Sequence, residues 1–430
     1  MTWSLLIRQA NLPDGRRGVD IGIRGGLIAA IEPALAGDAA RIIDAGGDLV
    51  CPPFIDSHLH LDSTLSLGEP RLNQSGTLLE GIALWGELKP RLTVEAIYQR
   101  AKNLCLWSIA QGIGAIRSHV DICDDRLLAV EALTALRAEM APYITIQLVA
   151  FPQEGYLRYA KSPENLRRAL TMGLDVVGGI PHFERSMADG AESVRRLMAL
   201  AAERSLMVDM HCDESDDPLS RHIETLAAET MRHGMQGRVT GSHLTSMHSM
   251  DNYYASKLIP LIAEARVSAI ANPLINITLQ GRHDSYPKRR GMTRVPELIA
   301  AGVNVAFGHD CVMDPWYPLG SHDMLEVAGM GLHVAQMTGV AAMQTCFDAV
   351  TINAARAMGL DDYGITVGKS ANLLVLDAAD PIEAIRTRAA RRWVVRAGQI
   401  IAEAPVRQSL VTLGEQSTLI NWRKPSNVAR

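Results

Sequence analysis

The chain contains no Cys-x-x-Cys pair, no large excess of charge of either sign, and no apolar run approaching the roughly 18 residues that span a bilayer. Each absence removes a class of protein. Six cysteines (Cys51, Cys105, Cys123, Cys212, Cys311 and Cys346) are scattered through 430 residues. That distribution fits reduced thiols packed as small hydrophobes, not a disulfide framework or a structural zinc site. A formal net charge of −5 gives no electrostatic case for gripping a phosphate backbone, so no nucleic-acid partner is expected. The opening stretch, residues 1–8, has neither a basic leader nor a long apolar core. The expectation is a cytoplasmic protein with no membrane association. No low-complexity segment or short repeat array is present. What is there is 47% hydrophobic content spread over a length that suits one large α/β barrel with an accessory domain.

Short β-rich runs alternate with helical stretches through the middle of the chain. They fall at 115–120, 144–150, 176–180, 206–211, 239–243, 267–272 and 303–309, and the run ending at His58 makes eight. Intervals of about 30 residues match a βα repeat, and eight such units predict a (β/α)8 barrel whose chemistry sits at the C-terminal ends of its strands. The flanks differ. Residues 3–50 hold short strands broken by turns, and 371–377 and 393–401 repeat that style. Together they predict a small β-sandwich built from both termini, over 1–52 and 365–430, beside a barrel over 53–364. The polar tail from Gln416 to Arg430 is expected to lie on the surface.

Within this frame His58-Leu59-His60 carries the most information. Residues two apart on a strand share a face, and two imidazoles so placed can hold one zinc or iron(II) ion. His211, His243 and Asp310 fall at the ends of strands five, six and eight, so five metal-competent groups converge on one rim. His182, His222, His233, His248 and His283 lack this pattern and are read as structural. Barrel hydrolases with two metals commonly bridge them with a carboxylated lysine after strand four; here Val176 to His182 contains no lysine. The reading is therefore one divalent ion on His58, His60, His211 and Asp310, with His243 bonded to the ion's water. Such an ion brings the pKa of that water toward about 7. Glu214, three residues beyond His211, is placed to shuttle protons; the adjacent Asp213 reads better as a helix-start acid. The other zinc deaminase chemistry needs His-x-Glu with a later Pro-Cys-x-x-Cys, and the missing pair excludes it.

The stretches at 54–62, 151–155, 211–214, 242–245, 286–291 and 308–320 resemble those of bacterial cytosine deaminases of the amidohydrolase superfamily, in the same order over essentially the whole chain. The resemblance implies the barrel and sandwich above, an iron(II) or zinc cofactor, a free nucleobase and water as reactants, and hydrolytic release of ammonia. It also implies that Gln153 binds the amide edge of a pyrimidine, that Trp316 and Phe151 wall the ring, and that Glu214, His243 and Asp310 manage protons during attack at C4. Large barrels of this kind often associate, so a homo-oligomer is expected.

One position departs from the resemblance. The branch usually has a second aspartate directly after the metal aspartate, near C5 of the pyrimidine; here it is Cys311. A smaller, neutral side chain leaves room for a methyl group, which implies that 5-methylcytosine is a substrate. Alternatives stay open at this point: an ordinary cytosine deaminase, a deaminase of isoguanine, creatinine or another cyclic amidine, or a metal-free scaffold barrel.

Overall fold

The computed structural model describes residues 2–406, 408–420 and 422. Eight strands form one parallel sheet in chain order: β1 (Phe54–Leu59), β2 (Ile113–Asp121), β3 (Thr145–Phe151), β4 (Val176–Gly179), β5 (Met207–Cys212), β6 (Val239–His243), β7 (Ser268–Ala271) and β8 (Val305–Phe307). All nine residues of β2 are buried, as expected of a strand covered by helices outside and packed side chains inside. The ring closes just past β8: Asp310 donates its N–H to the His58 carbonyl (2.8 Å) and accepts from the His60 N–H (3.1 Å). Three of the residues singled out by sequence therefore meet at the seam of the barrel.

Intervening helices start where the sequence supplies caps. Thr93, Ser186 and Asp251 each accept an N–H of the first turn with their side chains, satisfying donors that have no partner within the helix. An additional helix, α1 (Leu78–Leu88), capped by Thr77, lies between β1 and β2 and covers the C-terminal rim.

Two four-stranded sheets stand beside the barrel. One orders Leu27–Glu32, Val19–Arg24, Leu5–Ala10 and Ile42–Asp44; the other orders Gln399–Glu403, Arg391–Arg396, Leu373–Leu376 and Leu49–Cys51. They share a core of Leu5, Ile7, Ile21, Ile23, Leu373 and Val375, among others, so both ends of the chain build one sandwich. The apolar run at 49–55, continuous in sequence, is split between the two units. Pro52 and Pro53 lack the N–H groups that a sheet ladder needs, and the chain leaves the sandwich there to enter the barrel. The tail is only partly described: Gln416–Leu419 pairs with Leu410–Leu413 in an exposed hairpin, and 421 and 423–430 lie outside the described residues.

Candidate metal centre and pocket

His58 is the fifth residue of β1, and His60 follows the strand directly. Their rings converge with His211 from β5 and Asp310 from the loop after β8. All four are buried, and one ligand atom from each lies within 4.8 Å of every other. The Nε2 atoms of His60 and His211 are 3.0 Å apart, and the Nε2 atoms of His58 and His60 are each 3.4 Å from Asp310 Oδ1. An ion about 2.1 Å from its ligands spaces them by roughly 3.0 Å at right angles and roughly 3.4 Å at tetrahedral angles, so the cluster has the size of a coordination shell. Among the described residues, both ring nitrogens of His58, Nδ1 of His211 and Nε2 of His243 are buried without a hydrogen-bond partner. Buried polar groups are almost always paired, and of these atoms His58 Nε2 faces Asp310 Oδ1 at 3.4 Å inside the cluster, as a ligand nitrogen would. The residues fit a single divalent ion.

Local backbone serves this arrangement. His243 and Asp310 both have φ of 71°, and Asp213 has φ of 55°. Side-chain-bearing residues in the left-handed region store strain, which concentrates at functional sites. Gly308 lets β8 approach β1: a Cβ there would lie 2.5 Å from Asn272 Oδ1 and 2.7 Å from His58 Cβ. Asp56, one turn of the pleat before His58, accepts from the N–H groups of both His58 and His309 at 3.1 Å. Its other oxygen lies 2.8 Å from His322 Nε2, whose Nδ1 is 2.7 Å from Ser108 Oγ. That buried chain ties the backbone of His58 to that of His309, the residue before Asp310, and sequence reasoning did not find it.

Glu214 is buried, with Oε1 3.6 Å from His243 Nδ1. Burial, then the charge of Asp310, pushes its carboxyl well above the usual range. Asp310 goes the other way: burial opposes its ionisation, but the facing His58 and His243 rings hold it low. Two carboxyls of opposite tendency share one site, the arrangement that separates an acid from a ligand. The amides of Asn272 and Asn276 approach His243 Nδ1 at 3.2 and 3.0 Å and fix its ring. Asp213 is engaged elsewhere, 2.8 Å from His222 Nδ1, as a structural acid. His248 pairs with Asp216 at 3.0 Å, and His182, His222, His233, His248 and His283 all stand outside the ligand cluster.

A pocket opens on the cluster. Gln153, Trp316 and Cys311 line it with His60, His211, His243, Glu214 and Asp310, and Leu78, Ile275 and Leu279 add an apolar side that sequence reasoning missed. The Trp316 indole rests on α1, where the absence of a side chain at Gly81 makes room: a Cβ there would fall 2.3 Å from Trp316 Cδ1. Asp314 accepts from the N–H groups of Trp316 (2.9 Å) and Tyr317 (3.0 Å) and so shapes the loop that carries the indole. The Cys311 thiol lies 3.6 Å from Asp310 Oδ1, and burial, with the charges of Asp314 and Asp310, keeps it protonated. Phe151 stacks its ring on His211 at 4.0 Å between centroids and 15° between planes, supporting that side chain from behind; it is not among the residues that line the pocket directly.

The profile of the amidohydrolase family matches residues 41–402. The chain is similar to 5-methylcytosine deaminase from Klebsiella pneumoniae, solved with 5-fluorocytosine and with phosphonocytosine; each structure is 45% identical with a TM-score of 0.91, covering 94% of this chain and 98% or 99% of the other. Among curated proteins, N-isopropylammelide isopropyl amidohydrolase from Pseudomonas sp. (strain ADP) is 29% identical over 94% of this chain and 98% of its own length. Pterin deaminase from Rhizobium rhizogenes is 29% identical over 90% of this chain and 89% of its own. With the profile spanning well over half of the sequence, a barrel that closes on its own ligand cluster, and a near-complete structural match, the chain belongs to the amidohydrolase family.

Proposed function

We propose that this hydrolase is a metal-dependent deaminase of free cytosine-type bases, converting 5-methylcytosine to thymine and cytosine or 5-fluorocytosine to the matching uracil with release of ammonia. The observation that carries the reading is one pocket shared by a four-residue cluster, a buried carboxyl at Glu214 whose proton affinity burial raises, the Gln153 amide and the Trp316 indole, with a thiol at Cys311 beside Asp310. The 45% identity to a 5-methylcytosine deaminase supports it. On this reading residues 53–364 carry the chemistry, 1–52 and 365–430 form the accessory domain, and the protein serves pyrimidine salvage in the cytoplasm as a homo-oligomer.

One divalent ion, iron(II) or zinc, held by His58, His60, His211 and Asp310, would supply Lewis acidity and bring the pKa of a coordinated water toward about 7. The chain's residues do the rest. Gln153 offers both a donor and an acceptor to the amide edge of the pyrimidine, and Trp316 covers one face. As the water oxygen bonds to C4, Glu214 gives its proton to N3, so the ring carries no net charge at the tetrahedral stage. His243 and Asp310 orient the water and take one of its protons, which passes to the exocyclic amine. The C4–N bond then breaks, ammonia leaves, and the remaining water proton restores Glu214. Cys311 faces the C5 substituent and tolerates a methyl.

Ammonia release from cytosine, 5-methylcytosine, 5-fluorocytosine and isoguanine tests the assignment. Turnover of 5-methylcytosine at least as efficient as that of cytosine is expected. Turnover of isoguanine alone, or of none of the four by metal-replete protein, would refute it.

A further inference from the structure

Beneath the ligand cluster the barrel interior is polar, where branched aliphatic side chains ordinarily fill such a core. Arg117 and His119 lie two apart on β2 and share its inward face with Asp209 and His211 of β5. Arg117, His119 and Asp209 are completely buried, and Arg117 is the largest such side chain among the described residues. The guanidinium donates to Asp209 Oδ2 at 2.9 Å, to Gln147 Oε1 at 2.6 Å and to the Ala357 carbonyl at 3.0 Å. The second oxygen of Asp209 accepts from Ser242 Oγ at 2.7 Å and lies 3.8 Å from His119 Nε2. The His119 ring lies directly under the ligands, its centroid 4.2 Å from that of His58 and 4.5 Å from that of His211. Neither of its nitrogens has a hydrogen-bond partner, and neither has those of His58.

His58, His119 and Asp209 also bring ligand atoms within 4.8 Å of one another, which raises the question of a second ion. The chemistry argues against one. Both Asp209 oxygens are already engaged, and a cation there would face a guanidinium across a low-dielectric core. A buried ion pair is also no gain in stability over apolar side chains of similar size, so its presence calls for a different explanation. A ligating histidine ordinarily donates its second N–H to an outer partner, which fixes tautomer and ring plane. Among the described residues His58 has no such partner, and the ring packed against it from this column is that of His119.

We infer that His119, braced by the buried Arg117–Asp209 pair, is a positioning residue that sets the ring orientation and tautomer of His58. Asp209 Oδ1 lies 3.8 Å from His119 Nε2, and a nitrogen of His119 lies within 4.8 Å of one of His58, close enough for the column to hold the His58 ring in place. The inference rests on the ligand set assigned under the proposed function, and its test reads metal binding without substrate.

Full-length protein, stripped of metal, is titrated with zinc under chelator competition and separately with cobalt(II), followed by ligand-field absorption. The parent binds one equivalent. His119→Leu binds one equivalent about 10- to 100-fold more weakly, with a changed cobalt spectrum. His119→Gln, which keeps a donor and an acceptor, recovers most of the affinity. Should His119→Leu fold poorly, the paired change Arg117→Met with Asp209→Leu removes the brace without leaving a lone buried charge, and it weakens binding to the same degree. Parent-like affinity and spectrum in folded His119→Leu overturn the inference, as does uptake of two equivalents by the parent and one by His119→Leu. A parent that binds no ion overturns the ligand assignment itself, a distinct result.

Discussion

Replacing Cys311 with aspartate asks whether one side chain sets the tolerance for a methyl at C5. The thiol lies 3.6 Å from Asp310 Oδ1 on the pocket wall and is almost completely buried, so a carboxylate there has no room to turn outward. Two effects act in the same direction on 5-methylcytosine and not on cytosine. Losing the burial of one methyl costs about 0.8 kcal/mol, and forcing it against the added atoms costs about 1–3 kcal/mol. Together about 2–4 kcal/mol corresponds to a roughly 30- to 900-fold fall in the ratio of kcat/KM for 5-methylcytosine to that for cytosine. The assay is ammonia release at matched metal content, with Cys311→Ser as a nearly isosteric control that keeps the ratio within several-fold. An unchanged ratio in Cys311→Asp refutes the assignment of Cys311 as the discriminator, whatever happens to either rate alone.

Other consequences are open to measurement. Glu214→Gln keeps metal content but lowers kcat by about 100- to 10,000-fold, the usual worth of a positioned proton donor; full activity in this variant would remove the residue from the mechanism. Gly81→Ala drives a methyl into the Trp316 indole, an overpacking cost of about 1–3 kcal/mol, and is expected to raise KM and shift tryptophan fluorescence at constant metal content. An unaltered KM would mean that the indole does not depend on its seat on α1. Removing the metal with a chelator abolishes turnover and lowers Tm, and one equivalent of zinc or iron(II) restores both; a Tm indifferent to metal would count against a site formed only in the folded chain. His248 reports on acid. Burial, and beyond it the Arg289 charge, hold its proton affinity below the ordinary 6.5 although Asp216 pulls the other way. The folded form thus takes the proton less readily than the unfolded chain, so the stability conferred by the neutral ring is complete above about pH 6.5 and is lost as pH falls through the lower folded value. Unfolding midpoints measured from pH 7.5 to 5 should decline, and His248→Gln should flatten that decline; equal slopes would refute the contribution.

The parts of this molecule legible in its sequence are those whose physics is local. A His-x-His at a strand end declares its geometry through side-chain alternation alone, and His211, His243 and Asp310 could be added because each ends a recurring apolar run. The eight runs likewise placed the barrel, although β8 is only Val305–Phe307, shorter than the apolar stretch suggests, because the chain turns at Gly308 to reach β1. What escaped depends on partners far away in the chain. Asp56 reads as one more acid in a strand until His322, 266 residues later, is seen against it. Leu78 looks like an ordinary apolar position of α1 until the pocket shows which face it serves. The stacking of Phe151 on His211 likewise joins residues 60 apart in the chain, and no local pattern announces it.

His119 marks the boundary between the two kinds of residue. Its signal was present, since Arg117 and His119 occupy inward positions of a fully buried strand, where a charge and an imidazole are costly without a purpose. That the purpose concerns His58 became visible only with Asp209 in place, because a buried arginine is interpretable only together with the carboxylate that neutralises it. A barrel core that gives up aliphatic packing for a guanidinium, a carboxylate and an unpartnered imidazole directly beneath His58 trades stability for orientation. The same exchange recurs at the rim, where His243 and Asp310 hold strained backbone to aim their side chains inward. Both departures from good folding practice converge on one atom cluster, and that convergence locates the chemistry more firmly than any single motif does.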